Sequence, residues 1–281
     1  MHTTLLVAGA SGHLGRLVLQ HLRRLGAHHL IATTRTPSSG QRYADFDNAD
    51  SLPAAFAGAQ RMLLISTALG YAGPRRVAQH RNAIDAAVRA GVKSIVYTSL
   101  LGAVNDDHTQ TETMLRDSGL PHIILRNAYY MEPLRDTLAA AAGCGKLVSA
   151  ATIGRAAYIT RDDCALAAAH ALLLPPATRQ LDIVGPQALS GADLAKIGSE
   201  AFGKPIAFSA VGPGERADML AAQGTPPQLA RMIAHVEKAL DSGMMDSTSK
   251  DYTALTGRQA CTLRDFLLRR TRAPERLTDG G

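Results

Sequence analysis

Leu5-Leu6-Val7-Ala8-Gly9-Ala10-Ser11-Gly12-His13-Leu14-Gly15 is an aliphatic run that passes straight into glycines spaced three apart, and it decides the fold. Upstream, four apolar residues in succession suit a strand buried on both faces. Downstream, Leu14, Leu17, Val18, Leu22 and Leu25 recur at the spacing of one helical face. Each glycine has its own physical task. Gly9 turns the chain sharply off the strand, Gly12 removes the Cβ that would block a pyrophosphate, and Gly15 lets the helix sit close to the sheet. Main-chain N–H groups and the positive end of the helix dipole then meet the anion. A dinucleotide is the ligand this turn implies, held by Gly9, Ala10, Ser11, Gly12, His13, Leu14 and Gly15.

Outward from this turn, short aliphatic runs alternate with helix-like segments, the pattern of a parallel sheet covered on both faces. The runs are Thr4 to Ala8, His29 to Thr34, Arg61 to Ser66, Ser94 to Thr98 and His122 to Arg126, with a weaker one at Arg42 to Asp45. Pro74 to Ala90 reads as a helix with Val77, Ile84 and Val88 on one stripe, stopped by Gly91. Only nine residues separate Arg35 from Asp45, too few for a crossover helix, so a bare loop is expected there. Past Arg126 the rhythm loosens. Thr160 and Asp163 look like a capping box opening an alanine-rich helix, Arg161 to Leu174, and Gln180 to Val184 could return to the main sheet. The expected fold is α/β, a Rossmann-like doubly wound parallel sheet with a second, smaller α/β substrate lobe. Residues 1–128 and about 157–185 would form the dinucleotide domain, and about 129–156 with 186–281 the lobe.

Charge is unevenly placed. Lys plus Arg number 30 against 24 acids, yet residues 1–44 hold five arginines and no acid, which leaves the rest of the chain near neutrality. The arginine-rich end, Arg264 to Arg276, reads as a solvated last helix and tail, and no helix combines arginines with base-reading residues, so nucleic acid is not expected. At 46% hydrophobic and 19% charged residues the chain is neither disordered nor membrane-spanning, because its greasiest run, Ala165 to Leu174, is broken by His170 and stopped by Pro175. With no secretory start either, the expected location is cytoplasmic. Cys144, Cys164 and Cys261 are too scattered for a disulfide framework, and the ten histidines form no metal motif.

The second strand run ends Ala32-Thr33-Thr34-Arg35, where an enzyme for NAD would place an acid to accept the ribose 2′-hydroxyl. A guanidinium stands there instead. Arginine grips phosphate through charge-assisted, bidentate bonds, so NADPH (NADP) is the expected cofactor. Further contacts should come from the loops after the strands. Asp45, Phe46 and Asp47 could frame the adenine, Ser66 and Thr67 the cofactor's spine, and Thr98 and Ser99 the nicotinamide ribose. A common route in such folds protonates the product through Tyr-x-x-x-Lys. None of the seven tyrosines has a lysine four residues on, and no Gly-x-Ser-x-Gly elbow is present, which argues against alcohol–ketone interconversion by that route and against serine hydrolysis.

The glycine triplet, Thr34-Arg35, Leu63-Leu64-Ile65-Ser66-Thr67, Gln79-His80-Arg81-Asn82, Ala90 to Ser99 and Leu125-Arg126-Asn127-Ala128-Tyr129-Tyr130 occur in one order. Together they resemble the NmrA-like branch of the atypical short-chain dehydrogenase/reductases, most of all its NADPH-dependent quinone oxidoreductases of the second type and triphenylmethane reductases. The resemblance implies NADPH over the glycine turn, Arg35 on the 2′-phosphate, and Arg126, Asn127, Tyr129 and Tyr130 bordering the nicotinamide and the acceptor. Asn127 would orient the acceptor oxygen, with Tyr129 or Tyr130 as a wall, although both tyrosines also suit core positions at a strand-to-helix junction. The implied partner is a small, quinone-like electron acceptor. A homodimer is compatible with such a chain, and so is a non-catalytic NADP(H)-binding sensor of the NmrA type. The sequence departs from these relatives at Thr113: His108 to Thr113 matches a stretch that ends Glu-Lys in the quinone reductases, and the preceding loop, Gly102 to Asp107, is short.

Overall fold

The computed structural model describes residues 3–68, 72–103 and 106–269. Tyr71, part of the Gly102–Asp107 loop, and the arginine-rich tail from residue 270 onward lie outside the described residues.

Seven parallel strands form the main sheet: β1 (Leu5–Ala8), β2 (Leu30–Thr34), β3 (Gln41–Tyr43), β4 (Arg61–Ile65), β5 (Ser94–Leu100), β6 (His122–Asn127) and β9 (Arg179–Ile183). Their order is β3-β2-β1-β4-β5-β6-β9, so the chain moves outward from β1 on one side and then restarts with β4 on the other. That reversal beside β1 is where an open α/β sheet forms its ligand crevice. The bare loop between β2 and β3 is present, as residues 35–40 alone join them.

Strand side chains alternate between two cores. Leu5, Val7, Val96, Ile123 and Leu125 face α1 (His13–Arg24) and α6 (Arg161–Leu173). Leu6, Met62, Leu64, Ile95, Tyr97 and Ile124 face α2 (Leu52–Phe56), α3 (Pro74–Arg89) and α4 (Asp107–Asp117). The sheet is thereby doubly wound. In α1, Leu19 and His21 join the buried face, and Leu25 is exposed because the helix ends at Arg24.

The expected stripe on α3 holds only in part. Ile84 is buried in the core and Val77 packs against it, but Val88 is 44% exposed on an outer groove against α4, and the rest of the buried face carries Arg76, Gln79, His80, Ala83, Ala86 and Ala87. Polar side chains can take the inner face because Asp107, His108 and Thr111 of α4 satisfy them. The helix expected at Arg161 opens with Thr160 accepting the Asp163 N–H at 3.0 Å. The Asp163 carboxylate accepts the Thr160 hydroxyl at 2.6 Å but, in place of the Thr160 N–H of a full capping box, takes the Tyr252 hydroxyl at 2.8 Å and the Cys261 N–H at 3.1 Å, tying α6 to the C-terminal segment.

Smaller sheets lie beyond β6. β7 (Lys146–Ser149) pairs with β11 (Ala207–Ala210), and β8 (Arg155–Ala156) with β10 (Leu189–Ser190). Around them stand α5 (Glu132–Cys144), α7 (Gly191–Phe202), α8 (Pro213–Ala222) and α9 (Pro227–Ala239). Among the described residues no helix is long and apolar enough to cross a membrane, and no histidine, cysteine or carboxylate cluster could hold a metal ion.

Candidate active site

The glycine turn has the geometry its spacing implies. Gly9 sits at φ +86°, a left-handed conformation that disfavours side chains. A Cβ on Gly15 would lie 2.8 Å from the Ala10 Cα and closer still to the Gly9 oxygen, so α1 can pack on the turn only without one. Gly12 differs. A Cβ there would meet only the Gly9 oxygen, at 3.4 Å, so the protein itself does not demand glycine. Space beside Gly12 is what a bound pyrophosphate would need. Ala10 and Gly12 spend their N–H groups on Thr33 O and Gly9 O. The first turn of α1, containing His13, Leu14 and Gly15, has neither a capping side chain nor an acid, leaving N–H donors and dipole for an anion. Ser11 shares a 2.7 Å hydrogen bond with Thr34, joining the turn to the end of β2.

Arg35 follows directly, exposed at that strand end. It shares its surroundings with a group that sequence reading placed only loosely. Asp47 is forked by Arg75 at 3.3 and 2.8 Å and bonded by Gln79 at 2.9 Å. Its carboxyl is held below the usual range first by the Arg75 bond, against a modest burial effect, with Gln79 and the fields of Arg75 and Arg35 adding to it. Two guanidinium groups thus act on Asp47, Arg75 by direct hydrogen bonds and Arg35 through its field. Asp45 accepts the Asp47 N–H at 3.1 Å, and Asn82 bonds the Phe46 carbonyl at 2.9 Å, which sets this loop on α3.

The loop after β4 is anchored from behind. The Ser66 N–H donates to Thr98 Oγ1 at 2.9 Å, and the Thr67 N–H to His80 Nε2 at 3.2 Å. An Nε2 that accepts must be unprotonated, so the His80 proton is on Nδ1, facing Thr111 Oγ1 at 2.9 Å; Thr111 in turn donates to Asp107 O at 2.8 Å. His80 is fully buried, and that burial, with the Arg76 and His108 charges, pushes its pKa down to about 3. Beside it Arg76 reaches Asp107 at 3.1 Å, His108 at 3.1 Å and Ala68 O at 3.2 Å, and His108 meets the Tyr97 hydroxyl at 2.9 Å. This buried network fixes the loop that carries Ser66 and Thr67.

Ser99 and Arg126 are register partners on β5 and β6 and point together at α4. There Glu112, wholly buried, accepts Ser99 Oγ at 2.8 Å and Arg126 Nε and Nη2 at 2.9 and 2.7 Å. Burial alone would raise the Glu112 carboxyl, but these bonds outweigh it and hold it below its ordinary value. Sequence reading missed Glu112, although its place one turn after His108 on a helix beside Arg126 was a signal. Thr113, next to it, is exposed, bonds back to Thr109 O at 3.1 Å and lines the outer groove. The departure from lysine therefore falls on the outer face of α4, away from Asn127.

At the end of β6, Asn127 is 4% exposed, and its Oδ1 has no partner among the described residues. Thr33 Oγ1 and Thr67 Oγ1, at two other strand ends, are likewise buried and unpaired. Such atoms are costly unless a ligand or water completes them, and a dinucleotide along the strand ends has suitable groups. Tyr129 and Tyr130 follow, half-buried, with the Arg161 guanidinium 4.9 Å from the centre of the Tyr130 ring. Burial raises the pKa of both phenols. Each stays protonated at neutral pH, able to donate a hydrogen bond but not to act as a base.

A family profile described as NAD(P)H-binding matches residues 9–175. Quinone oxidoreductase 2 of Escherichia coli is 33% identical over 275 residues, spanning 92% of this chain and 95% of that protein. The crystal structure of an Escherichia coli NADPH-dependent quinone oxidoreductase complexed with NADPH matches with a TM-score of 0.88 at 32% identity, covering 94% of this chain and 98% of that one. The triphenylmethane reductase of Citrobacter sp., complexed with NADP(H), matches with a TM-score of 0.86 at 30% identity over 94% of this chain and 98% of its own.

Proposed function

The chain belongs to the NAD(P)H-binding, NmrA-like family of oxidoreductases, and from that footing we propose that it reduces a quinone or a similarly flat, conjugated acceptor at the expense of NADPH. The observation that carries this reading is Asn127, buried beside two protonated tyrosines with one end of its amide unpaired. NADPH, when bound, supplies the hydride.

The turn from Gly9 to Gly15 would receive the pyrophosphate, and Arg35 the 2′-phosphate that distinguishes NADPH from NADH. Asp45 and Phe46 would frame the adenine, and Ser66 and Thr67 the middle of the cofactor. Thr98, Ser99 and Arg126 have their side chains committed within the protein, so their part would be to set the strand ends under the nicotinamide half. Asn127 would orient the reacting groups. Tyr129 and Tyr130 would wall the acceptor, in a cleft between the dinucleotide domain and the smaller lobe.

Such a site suits quinone reduction. The acceptor needs a hydride placed near 3 to 3.5 Å from the receiving atom and a proton that solvent can deliver while a neutral phenol hydrogen-bonds the developing oxyanion. It does not need the Tyr-x-x-x-Lys pair that the sequence lacks. The test is NADPH oxidation with simple quinones and dyes, with cofactor binding measured in parallel. Turnover supports the reductase; tight NADP(H) binding without turnover across the panel would mark the chain as a non-catalytic sensor instead.

A further inference from the structure

A cavity of about 100 Å³ in the small lobe plays no part in the reading above. Leu134 and Leu138 of α5, Leu147 of β7, Leu194 of α7 and Leu240 line it, and Tyr158 contributes to its wall. The far side is closed by Arg216 and Glu237, paired at 2.9 Å, with Glu237 fixed further by the Ala150 N–H at 2.7 Å. The walls leave no slack. A Cβ on Gly154 would lie 2.7 Å from the Leu240 Cβ, and one on Gly191 would strike the Phe208 ring.

Tyr158 is the second observation. It is 9% exposed, and its hydroxyl has no hydrogen-bond partner among the described residues. Its oxygen is not one of the sealed, unpaired atoms either. A phenol oxygen with neither partner nor seal faces free space, and the cavity is the free space that Tyr158 lines. The same wall backs onto the acceptor site. Ile159 N–H donates to Tyr129 O at 3.0 Å, Met131 N–H to Ile159 O at 2.9 Å, and Leu134 N–H to Met131 O at 3.0 Å.

Volume selects the occupant. A leucine-lined cavity of roughly 150 Å³ accepts benzene, so one of about 100 Å³ is too small for a second ring. At roughly 30 Å³ for each methyl-sized group it holds a compact branch of three or four heavy atoms. We propose that this cavity is a subsite of the acceptor site that takes a short branched alkyl or alkoxy substituent of the ring, with Tyr158 donating its O–H to an ether oxygen on that branch. The proposal rests on the quinone-reductase reading.

The test is calorimetric titration of the NADP-loaded protein with hydroquinone, 2-tert-butylhydroquinone and 2-isopropoxyhydroquinone. Both substituted compounds should bind about ten-fold more tightly than hydroquinone, from the apolar area they bury. The isopropoxy compound should lose several-fold in Tyr158→Phe while the tert-butyl compound does not. Leu194→Phe, which fills the cavity, should erase the preference for a branch. Leu138→Ala, which enlarges it, should shift the preference toward a phenyl substituent. Each ratio is read within one variant, so a general weakening cancels. Equal affinities for the three compounds in the unmodified protein, or a tert-butyl preference that survives Leu194→Phe, would overturn the subsite. Binding needs no turnover: absence of NADPH oxidation would remove the reductase reading, whereas absence of a branch preference would remove only the subsite.

Discussion

Arg126 is forked onto Glu112 at 2.9 and 2.7 Å, and Glu112 is sealed from solvent at 0% exposure, with Ser99 at 2.8 Å and Arg116 at 3.2 Å as its further partners. One buried carboxylate thus clamps the ends of β5 and β6 to α4, immediately before Asn127. Removing one member of such a pair strands the other charge in the interior. Glu112→Ala should cost about 3–5 kcal/mol in urea unfolding, and a double Glu112→Leu, Arg126→Met replacement should recover most of that loss. A loss under about 1 kcal/mol would mean that solvent reaches the pair.

His80 makes stability depend on pH. Its folded pKa is about 3 against the ordinary 6.5, so between those values the unfolded chain binds more protons and stability falls as pH drops. Buried His108 shifts in the same direction. Carboxylates held low, such as Glu112 and Asp47, add their own losses only below about pH 4.5. Unfolding free energy measured from pH 6.5 down to about 5 should therefore decline, and His80→Gln should flatten that decline by about one proton. An unchanged slope in the variant would remove His80 from the effect.

Gly12 and Gly15 should separate binding from folding. Gly12→Ala meets no protein atom closer than 3.4 Å, so its melting temperature should stay within a few degrees of the parent while NADPH affinity falls at least about ten-fold. Gly15→Ala collides with the turn itself and should lower both. Full NADPH affinity in Gly12→Ala would contradict a pyrophosphate at that position.

What could be read from sequence alone was local. The glycine turn, the strand runs and the short β2–β3 loop follow from spacing within a few residues, and the structure carries them. The polar part of the buried face of α3 was not legible. Arg76 and His80 look like solvent residues until Asp107, His108 and Thr111 arrive from a helix about thirty positions away to satisfy them. Ser99 and Arg126 read as open ligands for the same reason: strand register sets them side by side, and their partner Glu112 comes from the packing of α4 on that pair rather than from any motif. The leucine cavity draws on residues from Leu134 to Leu240, which no periodicity could bring together.

Arg35 should control cofactor choice. Arg35→Ala is expected to weaken NADPH binding by roughly 1 to 3 kcal/mol while changing NADH binding far less, the loss of one charge-assisted contact to phosphate. Equal losses for both cofactors in direct titration would take Arg35 off the 2′-phosphate.

Hydride transfer from NADPH to a flat acceptor is the step that the proposed site must perform. Rapid mixing of the protein–NADPH complex with a simple quinone tests it most directly, with the NADPH absorbance followed through a single turnover. A first-order decay is expected, with a rate that saturates with quinone concentration and drops in Asn127→Ala. NADPH that remains bound and reduced at saturating quinone, across the quinone and dye panel, would contradict that transfer.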